Sequence, residues 1–254
     1  LDESDLREAF STTAAARVDG VYVNGRSGAR YIRRFQVPDD NVFIVPTTFE
    51  VKTYLDVPVS RPPDRAHRLL CVGQLVPRKG VDLLLDALGR WGAAHPGGHA
   101  ELVVAGDGEQ RAMLESHALP PNVEVSFLGN QHYARLKAVY ADAGVLVFPT
   151  LADEWGLVVN EAMAAGLPVL GSLYAQSVEE LVTDGETGWT FRPDHPDEFY
   201  AALCRALATP SAELDRMRVA ARARVALLTP EFVARLICGG IDRVTGPATG
   251  PLSG

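Results

Sequence analysis

Two carboxylates, Asp153 and Glu161, stand eight residues apart in "DEWGLVVNEAMAAGLPVLGS", residues 153–172. Almost everything else in that stretch is apolar or small. A carboxylate buried in such surroundings is costly unless something satisfies it. Gly156 is predicted to open a helix running to about Ala165, with Gly166 and Pro168 as its stop signal. The helix start, around Trp155, Gly156, Leu157 and Val158, offers free N–H groups and the positive end of a dipole, a setting that favours phosphate. Glu161 lies a turn and a half deeper. The hydroxyls of a diol would satisfy it; a buried Arg or the backbone is the alternative. Asp153, in the preceding loop, either faces a ligand or caps the helix.

Two other stretches carry similar chemistry. "VGQLVPRKG" (72–80) ends a strand at Gly73, passes Gln74, and brings Arg78 and Lys79 to a helix start. Adjacent cations there make an anion site, or else a solvated basic loop. "VVAGDGEQRAML" (103–114) sets Gly106 and Gly108 on either side of Asp107. These glycines admit a ligand close to the backbone or make a tight turn. The third glycine of a dinucleotide fingerprint is missing, because position 111 is Arg, which excludes a nicotinamide site. Taken together, the stretches suit one ligand: a diphosphate between Arg78, Lys79 and the helix start, with ribose hydroxyls on Glu161. Cations and N–H dipoles would also stabilise the charge that develops on a departing nucleoside diphosphate. No cluster of Asp and His accompanies them, so no metal and no cofactor are expected.

The elements that must position these residues follow from the pattern. Short Val/Leu/Ile runs at 67–75, 100–106, 122–129, 144–150, 167–172 and 188–192 alternate with helical patterns at 80–91, 108–119, 133–143, about 156–165, 176–182 and 196–208. This predicts an α/β fold, a doubly wound, Rossmann-like parallel sheet covered on both faces. In such sheets ligands bind beyond the carboxyl ends of the strands. Residues 1–48 hold one strand–helix–strand unit (20–24, 26–35, 41–46) and a helix before it, too little to bury a sheet. They are expected to be the end of another α/β domain that begins outside this sequence. A polar, proline-rich linker is expected at 49–66 and a disordered Gly/Pro/Ser tail at 246–254.

With 47% hydrophobic and 22% charged residues, the 254-residue chain is globular, and its net charge of −8 argues against a general nucleic-acid or anionic-membrane surface. No apolar run approaches the ~20 residues of a membrane span. Cys71, Cys204 and Cys238 are far apart and read as reduced core thiols, which points to the cytosol. The six histidines show no base or metal pair and read as surface residues.

The ordered set "VGQLVPRKGVDLLLDAL", "VVAGDGEQRAML", "VSFLGN", "DEWGLVVNEAMAAGLPVLGS" and "VEELVTDGETGWTFRPDHPDEF" resembles the donor-binding domain of retaining GT-B glycosyltransferases of family four. "VYVNGRSGARYIRRFQVPDDNVFIVP" resembles the end of that family's acceptor domain, and "TPEFVARLICGGIDRV" its last helix. The resemblance implies a remnant of the acceptor domain at 1–48, a donor domain at 67–228 and a crossover helix at 229–245. It implies transfer of a hexosyl group from a UDP- or GDP-linked sugar to a hydroxyl acceptor, a saccharide or glycolipid, without metal, by a cytoplasmic enzyme open to peripheral association with the inner membrane face. Lys79, with Arg78, would hold the diphosphate and Glu161 the ribose, while Asp153 would stand near the transferring carbon. The backbone of Gly156 to Val158 would meet phosphate, and Gly106 to Gly108 would line the pocket. Two positions depart from the family pattern: Gln74 replaces an Arg, and Asp153 replaces a Glu. They keep a second reading open, a sugar-nucleotide-binding module with little transfer activity.

Overall fold

The computed structural model describes residues 13–14 and 17–246, in two compact units, 1–48 with 228–254 and 49–227. Residues 247–254 of the expected tail, and nearly all of the helix expected before the first strand, lie outside the described residues.

In the smaller unit β1 (Val21–Val23) and β2 (Val42–Ile44) pair in parallel through α1 (Arg26–Arg33). The larger unit is a six-stranded sheet, all of its pairings parallel. Its strands are β3 (Leu69–Val72), β4 (Ala100–Ala105), β5 (Val123–Gly129), β6 (Val145–Phe148), β7 (Val169–Ser172) and β8 (Gly188–Phe191), in the spatial order β5-β4-β3-β6-β7-β8. Connecting them are α2 (Val81–Ala94), α3 (Arg111–Glu115), α4 (Tyr133–Ala141), α5 (Leu157–Ala164) and α6 (Gln176–Leu181), followed by α7 (Pro196–Ala208) and α8 (Ser211–Val225). β3, β6 and β7 are buried at every position, which is why they read as unbroken apolar runs. The order reverses at β3/β6: successive strands run outward one way from β3 and the other way from β6. That switch point leaves a crevice at the carboxyl ends of these two strands.

Three expectations need correction. The helix predicted over 108–119 is only α3. Residues 108–110 are held by the β3 loop through Gln110 N–H to the Leu75 carbonyl, and Pro120-Pro121 stop the chain beyond it. Residues 49–66 are built into the larger unit: Val51 and Tyr54 are buried, and the Arg61 guanidinium donates to the carbonyls of Ala143 (2.7 Å) and Ala165 (3.1 Å). Of the cysteines only Cys71 is core, and burial pushes its thiol up to about 12; Cys204 is half-buried and Cys238 exposed.

The helix α8 was not anticipated, because its arginines mask its apolar stripe of Leu214, Met217, Ala221 and Val225. After it, α9 (Pro230–Thr245) packs in the smaller unit, its Ile237 carbonyl accepting from the Tyr22 hydroxyl at 2.6 Å. No helix among the described residues is long and apolar enough to cross a membrane.

Candidate nucleotide-sugar site

The β3 loop is shaped by where it must go. Pro77–Lys79 form a single 3-10 turn, and Gly80 follows with φ 64°. A Cβ at Gly80 would stand 2.4 Å from the Pro149 carbonyl, so only glycine lets this loop lie against the end of β6. Hydrogen bonds stitch the two loops together: Leu151 N–H donates to the Arg78 carbonyl at 2.8 Å, and the buried Thr150 hydroxyl bonds the same carbonyl at 3.1 Å. Lys79 is thereby carried across to Asp153. Its Nζ lies 2.5 Å from Asp153 Oδ2 and 5.4 Å from the centre of the Phe148 ring. Both partners are mostly shielded, their side chains 17% and 14% exposed. Arg78 is half-exposed; it donates to the Ala152 carbonyl and stands 3.6 Å from Asp153. Gly73, Gln74, Lys79, Phe148 and Pro149 line a small cleft beside the pair, and a Cβ on Gly73 would meet nothing within 4 Å.

The α5 helix starts at this crevice. Gly156 turns the chain with φ 94°, where a Cβ would strike the Phe148 ring, and no side chain caps the helix. The first N–H groups of α5 therefore have no partner within the helix. Asp153 does not cap; it pairs with Lys79. Trp155 is an anchor for the turn, buried, donating its ring N–H to Asn160 Oδ1 at 2.8 Å and accepting from the Ser177 backbone N–H at 3.2 Å. Leu157 is exposed and Val158 half-buried beside it. Glu161, half-buried, is bound neither by an Arg nor by backbone but by the Tyr140 hydroxyl, 2.8 Å from Oε2. Burial raises its carboxyl above the ordinary range, and the Tyr140 bond partly opposes this.

The glycines of the β4 loop serve a contact between loops. A Cβ at Gly106 would lie 1.8 Å from the Gly73 carbonyl, and one at Gly108 would lie 2.4 Å from that of Leu75. These glycines are needed for loop-on-loop contact, whatever else they meet. Asp107 is engaged locally: the Gly108 N–H, then Arg111, hold its carboxyl below the usual value. Sequence reading missed Thr150, Phe148 and Tyr140, since each looks like ordinary strand or helix filling. The histidines remain outside the site; His95 stacks on Trp91, and His67 bonds the Thr209 carbonyl.

The family model described as "Glycosyl transferases group 1" matches residues 66–209, and the chain belongs to that family, with the GT-B fold of family-four type. It is 35% identical to a glycogen synthase of Mycobacterium tuberculosis, over 68% of this chain and 40% of that one. It is 33% identical to a GDP-mannose-dependent alpha-mannosyltransferase of Mycolicibacterium smegmatis, over 69% and 43%. The chain thus spans about two fifths of the length of these relatives. In fold it matches the Anabaena protein HepE, solved with UDP and glucose, with a TM-score of 0.70 at 18% identity over 95% of this chain and 67% of that one.

Proposed function

We propose that this chain is the donor-binding half of a glycosyltransferase that moves a hexosyl group from a nucleoside-diphosphate sugar to a hydroxyl acceptor, with anomeric configuration retained. The observation that carries the reading is the meeting of Lys79, Asp153 and the uncapped start of α5 at the β3/β6 switch point. Lys79 takes one side of the diphosphate and the N–H groups of Gly156 to Val158 the other, with Arg78 at the rim. As the anomeric C–O bond breaks, its electrons pass to the diphosphate oxygen, and these fixed charges stabilise them without reorganising. On this account no metal ion is required. Glu161 receives the ribose, and Asp153 stands nearest the sugar. The donor on this reading is a UDP- or GDP-linked sugar; one relative is named for GDP-mannose and a fold neighbour was solved with UDP, which supports it. The acceptor is a saccharide or glycolipid. The enzyme is placed in the cytoplasm, with peripheral association at the inner membrane face when the acceptor is lipid-linked.

Calorimetric titration of UDP, GDP and ADP into the chain tests this, alongside Lys79→Ala and Glu161→Ala. One diphosphate is expected to bind, and each substitution to weaken it by ~1–3 kcal/mol, the scale of a hydrogen bond to a charged group. Absence of binding by all three would overturn the assignment. The Lys79–Asp153 contact also favours a second reading, a binding module with little transfer, because the acid meant for the sugar is held by the lysine. Hydrolysis of UDP-glucose or GDP-mannose above the buffer rate by this chain would dismiss it.

A further inference from the structure

Tyr140 ends a chain of contacts that the nucleotide assignment does not use. It is fully buried at the last turn of α4, and its ring meets that of Tyr54 edge-on at 5.5 Å. Tyr54, also fully buried, in turn packs on Phe49 at 5.8 Å. This aromatic shelf leaves the Tyr140 hydroxyl a single direction, toward Glu161 Oε2. Glu161 Oε1 makes no hydrogen bond among the described residues. A carboxylate has room for about four donors, and a buried acid with only a structural role is normally paired more completely. Half of the carboxylate is anchored, and half is presented.

Resting on the ribose role of Glu161, we propose that Tyr140 is a positioning residue: its hydroxyl holds one oxygen of Glu161 so that the other is aimed, charged, at the vicinal hydroxyls of the nucleotide ribose. The other groups packed around Glu161 do not supply this. From α4 Tyr133 is mostly exposed, and the Tyr54 hydroxyl, though near the acid, donates no hydrogen bond to it. Arg61 and Arg222 hold the far end of α5, on the Ala165 and Ala164 carbonyls. Neighbouring α6 carries Glu179 and Glu180, acids with no proton to donate to a carboxylate.

The test is Tyr140→Phe, which keeps the ring and removes the oxygen. Nucleotide affinity (UDP, with GDP in parallel) is measured from pH 4 to pH 9, together with the carbon-13 carboxyl titration of Glu161 in labelled chain. Wild type is expected to lose affinity as pH falls through the Glu161 titration, because the neutral acid accepts poorly. In Tyr140→Phe the donor that favours the charged form is gone, so this loss begins at higher pH, and affinity at neutral pH falls roughly ten- to a hundredfold. Glu161→Gln has no such limb, and Tyr54→Phe leaves it in place. If Tyr140→Phe only lowers the melting temperature, with affinity and limb unchanged, Tyr140 is packing and the proposal fails. A moved carboxyl titration with an unmoved binding limb also overturns it. If wild type binds neither nucleotide, the ribose role and this proposal fall together, and the carboxyl titration then reports separately whether Tyr140 sets the charge of Glu161.

Discussion

The two ends of the larger unit's sheet use cations in opposite ways. At the amino ends, Arg61, Arg218 and Arg222 are turned against backbone carbonyls: Ala143 and Ala165 for Arg61, Ala66 for Arg218, Leu55, Val57 and Ala164 for Arg222. Several of these carbonyls lie at or just beyond the ends of α4 and α5, where the helix dipoles are negative. Burial pulls all three guanidiniums down, Arg61 to about 10, and Arg218 is the largest fully buried side chain among the described residues. At the carboxyl ends the same helices begin, so their dipoles are positive. There Lys79 and Arg78 lean on a single carboxylate, and Arg78 is half-exposed. One end is closed by its cations. The other gathers them on one acid beside a small cleft.

Breaking the closed end should have the largest effect. Arg218→Ala strands the carbonyls of Ala66 and Gly144 and leaves a cavity, so it is expected to cost about 3–5 kcal/mol in urea unfolding, the scale for breaking a buried charged network. Lys79→Ala should show the reverse balance, losing ~1–3 kcal/mol of nucleotide binding by calorimetry but under ~1 kcal/mol of stability, since its partner stays within reach of Arg78. Asp153→Asn sharpens the contrast further. It frees Lys79 and removes a competing anion, so UDP or GDP affinity should rise by up to about tenfold, or ~1.4 kcal/mol, while sugar transfer falls. The smallest effect concerns Glu161. Its carboxyl is raised by burial, so its contribution to stability is present below the unfolded value and is lost as pH rises through the folded one. Thermal melts of Glu161→Gln should therefore match wild type near pH 4 and exceed it by a few degrees at most at pH 8.

Much of this architecture was legible from residue order. Continuous apolar runs, leucine-spaced helices and glycine stops placed six strands to within three residues at either end, most plainly β3, β6 and β7, which are buried on both faces and leave no polar period. α8 was illegible because Arg218 and Arg222 look like solvated positions until the carbonyls they bind are known. The stretch 49–66 misled for the same reason: its prolines and Arg61 read as linker composition, yet the arginine is a buried clamp. In the site, Lys79, Asp153 and Glu161 could be singled out by type and spacing alone, whereas Tyr140, Thr150 and Gly80 could not.

By itself the sequence determined that charged groups would gather at strand ends around one crevice, since a lone acid such as Glu161 inside the apolar run "GLVVNEAMAAGLP" needs something to satisfy it. Which cation meets which acid was decided only by the fold. The 74-position separation of Lys79 and Asp153 closes only because β3 and β6 are neighbours at the switch point. The partner of Glu161 depends likewise on how α4 packs beside α5. Local propensity carries no record of such distant pairings; they are fixed by packing two layers of helix onto one sheet.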